Sequence, residues 1–298
     1  TTQNVCCTGS FAQKCLTLRV LYRIINLLRK VQRHAMRRKT AAVCRATDEV
    51  LCVSIPKIIH YCWFGGGPIS EADRKCMESW KKYCPDYKII EWNEQNFEIS
   101  ANRYAQQAYE AKKYAFVSDY VRLAVVYEYG GIYLDTDVEL VRPLDELLEL
   151  PGFMGFQNNN EVATGLGFGA CKGNPVVQAL LRDYDALDFI KADGSVDLTP
   201  CPERNTKVLQ TLGVRVDGTR QSIAEMEIFP AEYFCPMDFY SRELRVTPKT
   251  YSIHRYAESW KPKPSAVSRI LQRLLKKRYY TWYCPLRGRI EGRLRKRT

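Results

Sequence analysis

The chain has 298 residues, 46% hydrophobic and 26% charged, which excludes a disordered or collagen-like protein and supplies a core for one large α/β domain or two small ones. Its 45 Lys and Arg against 33 Asp and Glu give +12, a balance that taken whole points to nucleic acid or an anionic membrane as partner. The charge is unevenly placed: residues 1–50 carry +8 and residues 261–298 carry +12, leaving −8 for residues 51–260. The expected organisation is a basic N-terminal tail or helix (1–50), an acidic globular domain (51–260) and a basic amphipathic C-terminal segment (261–298).

In chain order, residues 16–34 place Val20, Ile24, Leu27, Leu28 and Val31 at helical spacing with arginines between them. Residues 266–283 repeat the pattern with Val267, Ile270, Leu271, Leu274 and Leu275, followed by Tyr279, Tyr280 and Trp282. Neither stretch has the roughly 18 uncharged apolar residues that a spanning helix needs. Each can lie on an anionic membrane surface or pack on the core with its charges in water. The chain opens on Thr1 and its first methionine is Met36, so the first forty or so residues are weighed lightly. Arg19 and Arg23 interrupt what would be the apolar centre of a secretory signal, and the protein is not expected to be secreted. Its 12 cysteines contain no C-x-x-C pair, and they are expected to be reduced buried thiols in a cytoplasmic protein.

The ordered domain is expected to begin at Ile55-Pro56. Residues 57–63 (KIIHYCW) read as a strand running into the Gly65-Gly66-Gly67-Pro68 loop. Ser70 before Glu71 opens a helix to about Tyr83, stopped by Pro85. Residues 87–92 read as a second strand, and 104–129 as one long helix closed by Gly130-Gly131. Residues 132–134 form a short apolar strand that delivers Asp135-Thr136-Asp137, and 138–141 continue extended. This alternation predicts an α/β fold with a mixed, mainly parallel sheet flanked by helices, and a ligand beyond the carboxyl ends of its strands.

The chemistry concentrates in four segments. In GGIYLDTDVEL (130–140), Asp135 and Asp137 are one residue apart and so share a side of an extended strand. One carboxylate there can ligate a divalent ion while the other holds a sugar hydroxyl or metal-bound water, a set suited to Mg²⁺ or Mn²⁺ shared with a diphosphate. The plain alternative is a solvated acidic turn. A phosphatase with an aspartyl nucleophile also carries D-x-D after an apolar strand, but it wants Thr or Val where this chain has Glu139, and it wants the motif near the domain start. In 114–131, Ser118, Asp119 and Arg122 share a helix face; Asp119 can accept sugar or ribose hydroxyls while Arg122 steadies an anion, or the two form a local ion pair worth about a few tenths of a kcal/mol. Trp63, at a strand end beside glycines, can offer a ring face to a nucleobase or belong to the core. In 251–260, His254 can be a third metal or diphosphate ligand, with Glu258, Ser259 and Trp260 close behind, although a single histidine is usually structural.

The ordered set I-P-K-I-I-H-Y-C-W-F-G-G, S-D-Y-V-R, G-G-I-Y-L-D-T-D and H…S-W resembles glycosyltransferase family 32, from about Ile55 to Trp260. That family includes bacterial capsular-polysaccharide sugar transferases and fungal initiating α-mannosyltransferases. The catalytic domain of the large clostridial glucosylating toxins is similar at greater distance. The resemblance implies a GT-A type, Rossmann-like fold, a nucleotide-diphosphate sugar as donor, Mn²⁺ or Mg²⁺ as cofactor and retention of anomeric configuration. By position it implies that Trp63 stacks on the nucleobase and that Ser118, Asp119 and Arg122 bind the donor sugar. It implies further that Asp135 contacts ribose or sugar, that Asp137 ligates the metal, and that His254, Ser259 and Trp260 close on the diphosphate side. Asp119, Arg122 and Asp135 are the residues expected to carry catalysis, and Asp135, Asp137 and His254 the metal. Residues 164–175 resemble the stretch lining the sugar and acceptor pocket, whereas Thr199-Pro200-Cys201-Pro202 departs from the family's Thr-Gly-Pro. The expected role is transfer to a glycan or lipid-linked saccharide in surface or capsular polysaccharide synthesis, peripheral on the inner face of the plasma membrane. The competing reading is a membrane- or nucleic-acid-binding module acting through the basic tails; nucleic acid is disfavoured because the middle domain is acidic.

Overall fold

Ser70 starts the first helix for a local reason: its hydroxyl accepts the Asp73 N–H at 3.1 Å. In the computed structural model, which describes residues 54–158, 160–239 and 241–257, helix α1 then runs Glu71–Tyr83. Glu71 and Asp73 lie in its first turn and Lys81 and Lys82 in its last, the arrangement a helix dipole favours. Its buried residues Asp73, Cys76 and Trp80 fall at i, i+3 and i+7 and make one stripe. Both basic tails, their helical stretches at 16–34 and 266–283, and Glu258, Ser259 and Trp260 lie outside the described residues.

Strand β1 (Ile58–Cys62) pairs in parallel with β2 (Lys88–Trp92) and with β3 (Gly131–Tyr133). With β5 (Gly152–Gly155), β6 (Phe168–Ala170), β7 (Gln221–Ile223) and β8 (Met226–Phe229), they form a seven-stranded sheet in the order β2-β1-β3-β6-β5-β8-β7. The expected α/β architecture, a mixed sheet flanked by helices, is present. Parallel ladders join β1 to β2, β1 to β3 and β5 to β8, and the other three are antiparallel, so the sheet is mixed. For β7 and β8 the antiparallel pairing follows from connection length: a tight turn at Ala224-Glu225 joins them and leaves no room for a helical crossover.

One face of the sheet packs on α2 (Arg103–Glu110), α3 (Tyr114–Tyr129) and α4 (Pro175–Asp185), burying Tyr104, Val117, Val121, Val125 and Leu180. The opposite face packs on α1 through Trp80, with Ile59, Ile132, Leu134 and Phe153 beneath it. Trp80 is fully buried, and loss of an aromatic side chain of that size costs about 3–5 kcal/mol. The single helix expected over 104–129 is two. Lys112 takes a left-handed conformation (φ 57°), and α3 restarts at Tyr114, whose ring packs on Tyr109 at 5.6 Å. No Gly or Pro marks this break, which is why the sequence conceals it.

The glycine pair after α3 is required by space and by conformation. Gly130 (φ 67°) ends the helix, its N–H on the Val126 carbonyl, and Gly131 (φ 105°) passes so close to His60 that a Cβ would lie 2.9 Å from Nε2. His60 itself is fully buried: it accepts the Trp92 indole N–H on Nδ1 at 3.0 Å, leaving Nε2–H to donate to the Gly130 carbonyl at 2.8 Å. Burial holds its pKa down to about 4, so it is a neutral core group. All six described cysteines are buried and none is in a disulfide. No helix among the described residues is long and apolar enough to cross a membrane.

Candidate active site

The acidic motif emerges where β3 ends. Asp135-Thr136-Asp137 is not a continuation of that strand: the Val138 N–H bonds back to the Asp135 carbonyl at 3.0 Å, closing a turn. The two carboxylates therefore converge through a turn and not through the two-residue alternation of a strand. Beyond it, β4 (Val138–Leu140) leaves the large sheet and pairs antiparallel with β9 (Ser252–His254), with Val138 opposite His254. Trp80 of α1 donates its indole N–H to the Val138 carbonyl at 2.7 Å, and the Ser79 hydroxyl accepts the Leu140 N–H at 2.8 Å. These two bonds latch the strand that carries the motif.

Asp119 and Arg122 project from α3 toward the same point. Arg122 Nη1 lies 3.1 Å from Asp119 Oδ1 and Nη2 lies 3.1 Å from Asp135 Oδ1, while Nε donates to the Ser118 carbonyl at 3.1 Å. The Arg122 side chain is 5% exposed, so this is no surface pair; its guanidinium is used within the protein, holding two carboxylates in place. Tyr133 completes the arrangement: its hydroxyl donates to Asp135 Oδ1 at 2.8 Å and its ring lies under the guanidinium. Asp135 Oδ1 thus accepts twice, and Oδ2 faces Gly165 so closely that a Cβ there would lie 2.4 Å away.

Asp137 is held from the C-terminal side. Its Oδ1 lies 3.2 Å from His254 Nε2, its Oδ2 accepts the Ala257 N–H at 2.8 Å, and its carbonyl accepts the Arg255 N–H at 2.9 Å. Burial pushes Asp119 up to about 6, against the pull of Arg122 and helped by the charge of Asp135. Asp135 is also raised by burial, again with Arg122 opposing. Burial acts on Asp137 in the same sense, yet the charge and hydrogen bond of His254 outweigh it and hold Asp137 down at about 2. His254 is raised: burial would lower it, but Asp137 and Asp135 prevail.

One ligand atom each from Asp135, Asp137 and His254 can be drawn from within a 4.8 Å span. Two independent features fit a divalent cation. The carboxylates of Asp119, Asp135 and Asp137 converge on one buried guanidinium and one imidazole, and His254 Nδ1 is buried with no hydrogen-bond partner. Two carboxylates and an imidazole suit Mn²⁺, and the oxygens also suit Mg²⁺.

Trp63 follows β1 at the same end of the sheet, half-buried, with its indole N–H donated to the Gly67 carbonyl at 2.6 Å. That bond ties the ring to its own glycine loop. The Ser118 hydroxyl donates to the Tyr114 carbonyl at 3.1 Å, so this side chain lies against its own helix. Helix α5 (Cys201–Thr211) begins at the departure from Thr-Gly-Pro, and it brings the Cys201 thiol to 3.5 Å from Arg122 Nη1 and 3.7 Å from Thr164 Oγ1. Tyr133 is a site residue that the sequence reading does not single out, whereas Gly165 lies in the 164–175 stretch and Cys201 in the 199–202 departure that it does mark, neither of them assigned there to the acidic cluster. Tyr133 has a signal, because it stands two residues before Asp135; Gly165 and Cys201 reach the site only through tertiary packing.

Residues 70–153 match the family described as "Glycosyltransferase sugar-binding region containing DXD motif". The chain is 31% identical over 144 residues to inositol phosphoceramide mannosyltransferase 3 of Schizosaccharomyces pombe, covering 46% of this chain and 39% of that protein. It is 34% identical over 146 residues to mannosyl phosphorylinositol ceramide synthase SUR1 of Saccharomyces cerevisiae (46% and 37%), and 26% identical over 148 residues to the human alpha-1,4-N-acetylglucosaminyltransferase (50% and 38%). The matched parts span about two fifths of these relatives. Around the D-x-D turn, then, residues 70–153 are similar to the sugar-binding region of DXD-type glycosyltransferases.

Proposed function

We propose that the protein is a metal-dependent, retaining glycosyltransferase that moves a hexose from a nucleotide-diphosphate sugar to a glycan or lipid-linked acceptor. The observation that carries this reading is the convergence of Asp135, Asp137 and His254 inside the segment set that resembles family 32. Two of the relatives are named for transfer to an inositol phosphoceramide and one for N-acetylglucosamine transfer, which supports a lipid or glycan acceptor. A divalent ion, Mn²⁺ or Mg²⁺, would be held by Asp135 Oδ2, Asp137 and His254, and it would supply charge stabilisation for the diphosphate leaving group.

The chain's own residues do the rest. Asp119 accepts hydroxyl hydrogens of the donor sugar, and Arg122 and Tyr133 fix Asp135 through its Oδ1, leaving Oδ2 beside Gly165 for the ion. In this reading Arg122 orients carboxylates and does not reach the leaving group, a narrower role than direct donor contact. Trp63 presents its half-buried ring to the base; the diphosphate-side role that the resemblance implies for Ser259 and Trp260 falls on residues outside those described. The basic tails would hold the domain on an anionic surface at the cytoplasmic face of the membrane, where a surface polysaccharide such as capsule is assembled; vesicle binding that falls steeply with salt and vanishes without residues 261–298 is the expected result.

Asp137→Asn tests the centre of the reading. It should abolish donor hydrolysis and transfer and remove the Mn²⁺-dependent thermal stabilisation by sugar nucleotides, which amounts to about 2.7 kcal/mol at a ligand concentration of 100 Kd. Turnover near the wild-type rate would refute the metal role.

A further inference from the structure

We propose that Asp73 is a positioning residue for the cation at Asp135, Asp137 and His254, its Oδ1 accepting a hydrogen bond from a water molecule on that ion. The inference rests on the metal reading above and extends it to a residue outside the D-x-D turn. Asp73 is 3% exposed, and its Oδ1 is buried with no hydrogen-bond partner. Its carboxyl does have a local role, since the Ser70 hydroxyl and N–H face it in a reciprocal cap at the start of α1. Capping uses one oxygen and needs no burial, because a cap of this kind is usually solvated.

The stripe Asp73–Cys76–Trp80 is the face that α1 turns toward the acidic motif. Trp80 bonds the Val138 carbonyl, the residue after Asp137. One turn back, the charges acting on Cys76 are those of Glu139, Asp137, Arg255 and Asp73. A further turn back, the one charge that acts on Asp73 is Asp137, which together with burial raises its pKa. Packing alone would favour an apolar residue there, as at Cys76 and Trp80. A buried carboxylate oxygen left without a donor, on the helix stripe whose Trp80 bonds the strand after the D-x-D turn, is instead what a water on a nearby cation would use. Residues that touch a metal's ligands or waters typically change affinity by about 10- to 100-fold when removed.

The test titrates Mn²⁺ into the full chain without nucleotide and follows free Mn²⁺ by electron paramagnetic resonance, with melting curves recorded on metal-free protein. Asp73→Ala should weaken Mn²⁺ by about tenfold or more, and Asp73→Asn, which keeps the oxygen but loses the charge, by about threefold or more. Ser70→Ala, which removes the cap and keeps the carboxylate, should stay within about twofold of wild type while losing stability. Wild-type Mn²⁺ affinity in Asp73→Ala, or in Asp73→Asn if the alanine variant does not fold, would overturn the proposal and leave Asp73 as a helix cap. Asp137→Asn separates the two levels: if it binds Mn²⁺ like wild type, the metal reading itself falls, and the role of Asp73 with it.

Discussion

Arg122→Met removes a buried charge while keeping side-chain length, and it separates a surface pair from an internal clamp. In wild type the guanidinium meets Asp119 and Asp135 at 3.1 Å each, with 5% of its side chain exposed. A surface pair at this spacing contributes a few tenths of a kcal/mol, on the order of 1 °C or less in Tm for a domain of this size. Breaking a buried pair leaves uncompensated charge and costs about 3–5 kcal/mol, which at about 2–4 °C per kcal/mol becomes a loss of roughly 6–20 °C. Calorimetry at pH 7.5 should show the larger loss. At pH 5 the deficit should narrow, because Asp119, pushed up to about 6, is then mostly protonated. Adding Asp119→Asn to Arg122→Met should restore part of the stability at pH 7.5 by removing one of the stranded charges. An Arg122→Met variant melting within about 2 °C of wild type would refute the clamp.

Two further outcomes follow from the same cluster. Asp119 binds its proton more tightly folded (about 6) than unfolded (3.8), so its contribution to stability is greatest below pH 3.8 and is lost as pH rises through about 6. Asp119→Asn should therefore be inactive yet more stable than wild type at pH 7.5, by about 1–3 kcal/mol, with the gain shrinking as pH falls below about 6 and lost below pH 3.8; a lower Tm at pH 7.5 would contradict this. Gly165→Ala would place a methyl 2.4 Å from Asp135 Oδ2 and 3.3 Å from Arg122 Nη1, forcing that carboxylate to turn. It should lose Mn²⁺ binding by calorimetry and about 1–3 kcal/mol of stability, and unchanged Mn²⁺ affinity would show that Oδ2 is not a ligand.

Local chemistry determined much of this protein from its sequence. Ser70 before Glu71 starts α1, Gly130-Gly131 closes α3, the apolar run before Asp135 makes a strand, and Asp119 and Arg122 share a turn of helix because residues three apart must. The order of these pieces was enough to suggest an α/β domain around a D-x-D motif. Tertiary structure decided what the pieces do to one another. Whether Asp119–Arg122 is a weak surface pair or a buried clamp depends on burial, which no spacing encodes. That Asp135 and Asp137 meet through a turn, and that β4 departs to pair with β9 and bring His254 beside them, is set by strand pairing across more than a hundred residues. The break at Lys112, the reach of Gly165 and Cys201 into the cluster and the burial of Asp73 have the same origin: contacts distant in sequence override or complete what local preference can specify.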